Sequence, residues 1–294
     1  VNDLKPGDHV VFSFVPMCGH CMPCMTGRPA LCEPGAAANA KGTLLGGGIR
    51  MKNKTLHDVN HHLGVSAFAE YAVVSRHSLV QIIPELPYDI AALFGCAVMT
   101  GVGAVVNTAN LAIGQTVLVV GLGGVGFAAL LGAIAAGAGK VIAADINPKK
   151  RELALQLGAH AVVDPSEPDA VEKLKASTNG GVDLAVEFAG VIQALEFAFA
   201  CTRRGGMTVT AGLPHPDKRI SISPVLMVGE ERTLKGSYLG SCVPSRDIPA
   251  FISLYQSGRL PVDALLSHTL GLEQINEGFE RLAQGDAIRQ IVTF

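Results

Sequence analysis

Between residues 116 and 236, short apolar runs alternate with longer segments in which apolar residues recur at helical spacing. The short runs are rich in β-branched residues, as in strands buried on both faces of a parallel sheet. We predict strands at residues 116–120, 140–144, 161–163, 182–188, 207–211 and 233–236. We predict helices at residues 127–136, 149–157, 169–176 and 193–201. This alternation predicts an α/β fold with a doubly wound parallel sheet.

The two flanks show a different pattern. Glycine and proline interrupt short apolar segments in residues 1–87, which predicts a β-rich lobe with strands such as 9–14 and 71–75. Helical patterns at residues 247–256 and 272–282 precede a last strand at 290–294, and we expect this tail to pack back on the β-rich lobe. The predicted division is a first domain at residues 1–97, a second at 98–238 and a return segment at 239–294.

An uncharged stretch could be mistaken for a membrane span. No Asp, Glu, Lys, Arg or His occurs between Ile90 and Gly139, and residues 117–139 are long enough to cross a bilayer. Seven glycines divide residues 117–139 into a strand, a loop and a helix, so we reject the membrane interpretation. The formal net charge of −2 likewise gives no sign of the positive surface that would bind nucleic acid or an anionic membrane.

Four of the seven cysteines form a short spaced group. Cys18, Cys21, Cys24 and Cys32 follow the spacing C-x2-C-x2-C-x7-C. Four thiolates can surround one tetrahedral Zn²⁺ and leave no open position, which is typical of a structural metal site. An iron–sulfur cluster remains an alternative, because such clusters also use C-x2-C-x2-C runs. A disulfide group is disfavoured in a chain of 294 residues with an odd cysteine count.

A glycine-rich loop joins the strand at 116–120 to the helix that follows it. Its sequence has the form G-x-G-x-x-G, and in this context the pattern predicts dinucleotide binding. Asp145 ends the next strand 19 residues after Gly126, where a carboxylate can meet the adenosine ribose and favour NAD over NADP. Asp145 could instead be a helix N-cap, and Lys149, Lys150 or Arg151 could reach the ribose or a 2′-phosphate. The predicted loop residues are Gly121, Leu122, Gly123, Gly124, Val125 and Gly126.

Motifs along the whole chain resemble those of the zinc-containing medium-chain alcohol dehydrogenases. They are LKPGDHV from Leu4, the four-cysteine loop, GVSAFAEYAVV from Gly64, GCAVMTGVGA from Gly95, VGLGGVG from Val120, ADINPKK from Ala144, INEGFERL from Ile275 and IRQIVTF at the end. The resemblance implies a Rossmann domain and an incomplete GroES-like catalytic domain. It also implies NAD- and zinc-dependent interconversion of an alcohol and its aldehyde or ketone by hydride transfer, in a cytoplasmic homodimer or homotetramer.

The resemblance also assigns individual residues. It implies that Cys18, Cys21, Cys24 and Cys32 bind structural zinc, that Cys96 is a catalytic-zinc ligand and that Thr100 lies beside the nicotinamide. Without the resemblance, the apolar sequence around Cys96 would predict an ordinary buried cysteine. The other implied coenzyme contacts are Asp145 and Lys150 at the ribose, Arg289 at the phosphates, and Ala211, Ser237 and Leu239 through the backbone.

The resemblance is incomplete at the start of the chain. Family members carry a leading segment that supplies a Cys and a His to the catalytic zinc and the groups of a proton relay. With only Cys96 matching a catalytic ligand, we expect a truncated chain that is inactive as supplied. His57, His61 and His62 are the candidates for replacement ligands.

The substrate is defined only as a class. In the glutathione-dependent formaldehyde dehydrogenase branch of the family that the chain resembles, an arginine shortly after the fourth loop cysteine receives the carboxylate of the glutathione adduct. Residues 33–39 contain no arginine, so this branch is disfavoured. Primary aliphatic or aromatic alcohols are the expected substrates. The alternative function is a non-catalytic protein that binds NAD(H) and structural zinc. An in-frame upstream segment encoding a Cys and a Gly-His-Glu would favour the enzyme.

Overall fold

The computed structural model describes residues 1–294 and contains two compact units. The first unit comprises Val1–Met99, Ser241–Ser253 and Leu266–Phe294, and the second comprises Thr100–Gly240 and Leu254–Leu265. The return segment was predicted to comprise all of residues 239–294, but Leu254–Leu265 belongs to the second unit. There Leu260, Val262 and Leu265 are fully buried, and Arg259 donates from Nη2 to the Ala135 carbonyl at 3.0 Å.

The protein contains twelve β-strands and eleven α-helices. The strands are β1 (Val10–Phe12), β2 (Met51–Lys52), β3 (Asp58–Val59), β4 (Leu79–Gln81), β5 (Thr116–Val120), β6 (Lys140–Ala144), β7 (Ala161–Val163), β8 (Val182–Glu187), β9 (Thr202–Thr210), β10 (Thr233–Gly236), β11 (Leu266–Gly271) and β12 (Arg289–Thr293). The α-helices are α1 (Met22–Met25), α2 (Glu33–Lys41), α3 (Tyr88–Leu93), α4 (Met99–Gly103), α5 (Gly124–Ala135), α6 (Pro148–Gln156), α7 (Ala170–Ser177), α8 (Ile192–Cys201), α9 (Pro224–Gly229), α10 (Pro244–Gln256) and α11 (Ile275–Gln284).

The second unit is built on a six-stranded parallel sheet in the order β10-β9-β8-β5-β6-β7. The strand order reverses direction at β5, which is the topological switch point where ligands bind in such sheets. Val120 at the end of β5 pairs with Ala144 of β6 and Glu187 of β8. The predicted doubly wound parallel sheet is therefore confirmed.

Apolar side chains from both strands and helices form the core of the second unit. Leu118 and Ile142 of the sheet pack in one buried cluster with Leu174 of α7 and Phe197 of α8. The four predicted strands at 116–120, 140–144, 161–163 and 233–236 have the observed bounds. β9 begins earlier than predicted, because Thr202 pairs with Val182 before the ladder register shifts.

The first unit contains three two-stranded pairs. β1 and β4 are antiparallel, β2 and β3 form a hairpin, and β11 and β12 are parallel on either side of α11. The predicted strand at residues 71–75 is wrong. This segment has no ladder partner; Ser75 instead caps the 3-10 turn Arg76–Ser78, with Oγ accepting from His77 N at 3.3 Å.

A long helical run, Tyr88–Thr108, overlaps the uncharged stretch, and in it π-helical turns at Phe94–Val98 and Ala104–Thr108 alternate with α3 and α4. By length and composition it could cross a membrane, but 67% of its most apolar window is buried within the protein, as in the core helices of globular domains. Residues 117–139 form the predicted strand, loop and helix.

Candidate metal and coenzyme sites

The four spaced cysteines converge on one point in the first unit. Cys21 is the N-cap of α1, Cys24 lies within α1 and Cys32 is the N-cap of α2. Gly19, before α1, has φ +83° and Gly27, after it, has φ +76°, conformations that let the chain turn sharply on both sides of this helix. All four Sγ atoms lie within 4.8 Å of one another, so the structure brings together the predicted ligand set.

The chemistry of this cluster fits a tetrahedral thiophilic cation. Four sulfurs at about 2.3 Å from Zn²⁺ lie about 3.8 Å apart, so a small contraction of the observed cluster completes the site. Backbone N–H groups already point at the sulfurs: Cys18 N and Gly35 N donate to Cys32 Sγ at 3.2 and 3.4 Å, and Cys21 N donates to Cys18 Sγ at 3.3 Å. Such donors stabilise thiolates.

The thiols differ in how readily they ionise. Burial acts against ionisation of Cys21, but backbone hydrogen bonds at Cys24 and Glu33 lower the pKa of its thiol to about 7. Burial raises the pKa of the Cys24 thiol to about 12. Metal uptake must therefore displace protons, so the affinity of the cluster for metal rises with pH.

The glycine loop after β5 shows why glycine is needed at two of its positions. Gly121 has φ +88°, and an added Cβ there would lie 2.6 Å from Ala189 N. A Cβ at Gly126 would collide with the carbonyl oxygen of Gly121. At Gly123 a Cβ would meet nothing within 4 Å, so this position faces open space above the N-terminus of α5. That space suits a pyrophosphate approached by backbone N–H groups.

Asp145 stands beside the loop at the end of β6. Its Oδ2 accepts from Leu122 N at 2.7 Å, and its Oδ1 accepts from Asn147 N at 2.8 Å. It also lines a cavity of about 400 Å³ at the carboxyl ends of β5, β6 and β8. Asp145 is not the helix N-cap that we considered, because Asn147 caps α6 by accepting from Lys149 N at 2.9 Å.

The three basic residues after Asp145 have different surroundings. Lys149 is exposed and Lys150 is half-buried. The side chain of Arg151 is only 19% exposed and forms an ion pair with Asp164 at 2.9 Å. Arg151 is thus held within the protein, whereas Lys149 presents its cation to solvent.

The remaining predicted coenzyme residues of the second unit lie at the ends of β9 and β10. Ala211 N donates to the Glu187 carbonyl at 2.9 Å, and Ser237 N donates to the Thr210 carbonyl at 2.8 Å. The Ser237 hydroxyl is hydrogen-bonded to that of Thr108 at 2.8 Å, and Leu239 is buried with φ +49°. Their coenzyme contacts stay a prediction.

Cys96 lies in the π-helical turn Phe94–Val98 of the first unit and is exposed. π-helical turns often occur at functional sites. Cys96 lines two cavities of the first unit, one with Phe12, Phe14 and Tyr88 and the other with Phe68 and Arg289. The alternative of an ordinary buried cysteine is therefore excluded, and the role of Cys96 as a zinc ligand stays a prediction. Thr100, four residues further along the helical run, is half-buried.

Arg289 at the start of β12 is mostly enclosed by protein. Its Nε is buried and has no hydrogen-bond partner. Burial lowers the pKa of Arg289, and the nearby charge of Cys96 opposes this shift. A buried guanidinium nitrogen without a partner is costly, so an anion would stabilise this side chain.

The three candidate replacement histidines do not form a metal site. His57 lies in the β2–β3 hairpin with Nδ1 2.9 Å from Thr55 Oγ1, and His62 is exposed. His61 is buried, and its Nε2 accepts from Arg50 N at 3.1 Å. The four-cysteine cluster is the one group of three or more His, Cys, Asp or Glu side chains with converging ligand atoms. The residues of this chain therefore do not fit a complete second metal site.

Three further residues line the cavity beside Asp145 and were not among the candidates from the sequence. Pro165 and Ser166 follow β7, and Gln193 is the second residue of α8; all three line the cavity with Asp145. A signal was present, because each follows the predicted end of a parallel strand at the binding edge of the sheet.

Comparison with known proteins identifies the class. Residues 1–85 match the family described as alcohol dehydrogenase GroES-like domain, and residues 124–257 match the family described as zinc-binding dehydrogenase. Alcohol dehydrogenase 2 from Zea mays is 35% identical over 295 residues, covering 99% of this chain and 78% of the relative. S-(hydroxymethyl)glutathione dehydrogenase from Saccharomyces cerevisiae is 38% identical over 298 residues, covering 99% and 77%.

Solved structures agree with the sequence relatives. An alcohol dehydrogenase zinc-binding domain protein from Burkholderia ambifaria superposes with a TM-score of 0.95 at 31% identity, covering 100% of this chain and 79% of its own. Benzyl alcohol dehydrogenase from Acinetobacter calcoaceticus superposes with a TM-score of 0.91 at 30% identity, covering 99% of this chain and 79% of its own. A zinc-binding dehydrogenase from Sinorhizobium meliloti bound to NADP superposes with a TM-score of 0.79 at 26% identity, covering 100% of this chain and 79% of its own. The chain belongs to the zinc-containing medium-chain alcohol dehydrogenase family, in which zinc and NAD(P) are the cofactors.

Proposed function

We propose that this chain is the zinc- and NAD-dependent part of an alcohol dehydrogenase. The observation that carries the coenzyme assignment is the Asp145 carboxylate, held by Leu122 N at 2.7 Å at the edge of the cavity beyond β5, β6 and β8. A carboxylate at the end of the second strand accepts the ribose hydroxyls of NAD and repels the 2′-phosphate of NADP. Gly121–Gly126 and Lys150 complete the proposed site for the dinucleotide.

The proposed reaction interconverts an alcohol and its aldehyde or ketone. Two features support primary aliphatic or aromatic alcohols as substrates. The benzyl alcohol dehydrogenase of Acinetobacter calcoaceticus shares the fold at 30% identity. Residues 33–39 lack an arginine that could bind the carboxylate of a glutathione adduct. We also propose a homodimer or homotetramer, as the family resemblance implies.

The proposed metal roles are unequal. Cys18, Cys21, Cys24 and Cys32 hold a structural zinc that fixes the loop between α1 and α2. Cys96 supplies one ligand of a reactive zinc, which when bound acts as a Lewis acid on the substrate oxygen. No other His, Cys, Asp or Glu converges with Cys96 in a group of three, so the reactive zinc needs ligands from outside residues 1–294. We therefore propose that these residues alone have negligible turnover.

The experiment that tests the coenzyme assignment is a fluorescence titration of the chain with NADH and with NADPH. NADH should bind more tightly, by several-fold to a hundredfold, because the carboxylate of Asp145 opposes the 2′-phosphate. Asp145→Gly should shrink the difference. Equal dissociation constants in the unmodified chain would mean that the basic residues after Asp145 dominate and would refute the assignment.

A non-catalytic protein that binds NAD(H) and structural zinc is the second candidate function. The observation that favours it is the single converging ligand cluster. Fusing the chain to the leading segment of a relative distinguishes the two functions. An enzyme recovers alcohol oxidation that depends on Cys96, whereas a non-catalytic protein stays inactive while still binding NADH.

A further inference from the structure

The side chain of Arg151 is held at the wall of the coenzyme cavity by backbone and carboxylate oxygens. Its Nη1 donates to the Asp145 carbonyl at 2.7 Å and to the Ile146 carbonyl at 3.0 Å. The same nitrogen lies 2.9 Å from Asp164 Oδ2. Asp145 and Ile146 both line the cavity, so the guanidinium contacts the backbone of the residue that carries the proposed ribose carboxylate.

Asp164 is positioned by the sheet to make this contact. It follows β7, whose last residue Val163 pairs with Ala144, the residue before Asp145. Its other oxygen, Oδ1, accepts from Ser166 N at 2.9 Å and from Ser166 Oγ at 2.5 Å. Both carboxylate oxygens are therefore used, one by the loop that lines the cavity and one by Arg151. Hydrogen bonds from Ser166, together with the charge of Arg151, lower the pKa of Asp164, so it stays ionised near neutral pH.

The arrangement controls which charge the adenosine ribose meets. An arginine near the ribose is the group that accommodates the 2′-phosphate in NADP-binding proteins of this fold. Here Arg151 is neutralised by Asp164 and tied to two carbonyl oxygens. Asp145 is then the fixed charge at the ribose, while Lys149 is exposed and Lys150 is half-buried.

We propose that Asp164 is a specificity-determining residue, which excludes NADP by holding Arg151 away from the 2′-phosphate position. This inference rests on the proposed binding of NAD at Asp145. It adds a second component to the discrimination between NAD and NADP. Exclusion of NADP would then need both the repulsive carboxylate of Asp145 and the withdrawal of the attractive Arg151 guanidinium. Specificity often depends on such combined devices.

The test is a binding titration of Asp164→Asn with NADH and NADPH, which needs no turnover. Asparagine keeps an oxygen for Ser166 and removes the charge that pairs with Arg151, which leaves the guanidinium only the two backbone carbonyls as acceptors. NADPH affinity should rise on the order of tenfold, the value of one new charge-assisted contact to phosphate, and NADH affinity should change by less than about twofold. Asp164→Ser removes the same charge with a smaller side chain and should give the same shift if the asparagine variant folds poorly.

Two further variants show whether Arg151 causes the gain. Adding Arg151→Gln to Asp164→Asn should abolish the rise in NADPH affinity. Asp169→Asn is the matched control, because it removes one acidic charge from an exposed pair with Lys173 at 2.9 Å. It should leave both affinities unchanged.

The outcomes separate this inference from the coenzyme assignment. Tight NADH binding with an unchanged NADPH affinity in both folded Asp164 variants would overturn the role of Asp164 alone. A gain that survives Arg151→Gln would also overturn it, since the lysines would then be the phosphate ligands. Failure of the unmodified chain to bind NADH would refute the coenzyme assignment on which the inference rests.

Discussion

At the scale of single residues, glycines in one loop serve two distinct purposes. Gly126 has no space for a side chain, because a Cβ would collide with the Gly121 carbonyl between β5 and α5. Gly123 has space for one, since nothing lies within 4 Å of its added Cβ. The first glycine is therefore required by the fold, and the second is required by the proposed ligand.

Alanine substitutions should separate these two purposes. Gly126→Ala should lower the free energy of unfolding by about 3 kcal/mol or prevent folding, because the helix must move away from the strand. Gly123→Ala should change the free energy of unfolding by less than about 0.5 kcal/mol and weaken NADH binding by more than tenfold. Urea unfolding and NADH titration measure the two effects. Equal loss of stability in both variants would contradict the separation.

The cysteine cluster makes a second prediction for single residues. Cys24→Ala should release the zinc and loosen the segment from α1 to α2, because three thiolates rarely retain a structural site. Cys201→Ala is the control, since Cys201 is the buried last residue of α8 in the other unit and takes no part in the cluster. Zinc retained at full occupancy in Cys24→Ala would refute the assignment of Cys24 as a ligand.

At the scale of elements, a buried carboxylate organises the ends of β8 and β9. Glu187 is 1% exposed; its Oε1 accepts from Gly190 N at 2.7 Å and its Oε2 accepts from Thr210 Oγ1 at 2.7 Å. Its backbone carbonyl accepts from Ala211 N at 2.9 Å. One residue thus joins the turn after β8 to the segment after β9.

Removing this carboxylate should leave buried donors without partners. Glu187→Ala should lower the free energy of unfolding by about 2–4 kcal/mol, whereas Glu187→Gln, which keeps an acceptor, should lower it by about 1 kcal/mol. Urea unfolding of the two variants measures the difference. Equal losses would show that packing volume rather than hydrogen bonding accounts for the effect.

The elements also show how far sequence patterns extend. The strands beside the glycine loop were predicted with the observed bounds, because a buried parallel strand appears as a continuous β-branched run between turn residues. Residues 71–75 have the same local pattern but find no ladder partner, and sequence cannot supply one. The helical run Tyr88–Thr108 was missed because an element apolar on most faces shows no period.

The site shows the same division. Spacing alone predicted the four-cysteine cluster, since the ligands lie close together along the chain. The pairing of Arg151 with Asp164 was not predicted, because it depends on which strands are neighbours in the sheet. The exposure of Cys96 also required the fold, since its sequence surroundings are apolar.

At the scale of the whole molecule, the two units carry different parts of the proposed chemistry. The second unit holds the glycine loop and Asp145, and the first holds the cysteine cluster and Cys96. Residues 1–294 should show negligible oxidation of benzyl alcohol with NAD, because one thiolate does not hold a reactive zinc. Fusion to the leading segment of a relative should give NADH formation, and Cys96→Ala should abolish it again. Robust turnover by residues 1–294 alone would contradict this prediction.

The central claim is that this chain has one complete metal site and one incomplete one. Elemental analysis of the purified 294-residue chain tests it most directly. We predict about one zinc per chain, lost in Cys24→Ala and retained in Cys96→Ala, because four thiolates close one tetrahedral site. Two tightly held zinc ions per chain, with one lost in Cys96→Ala, would contradict the account.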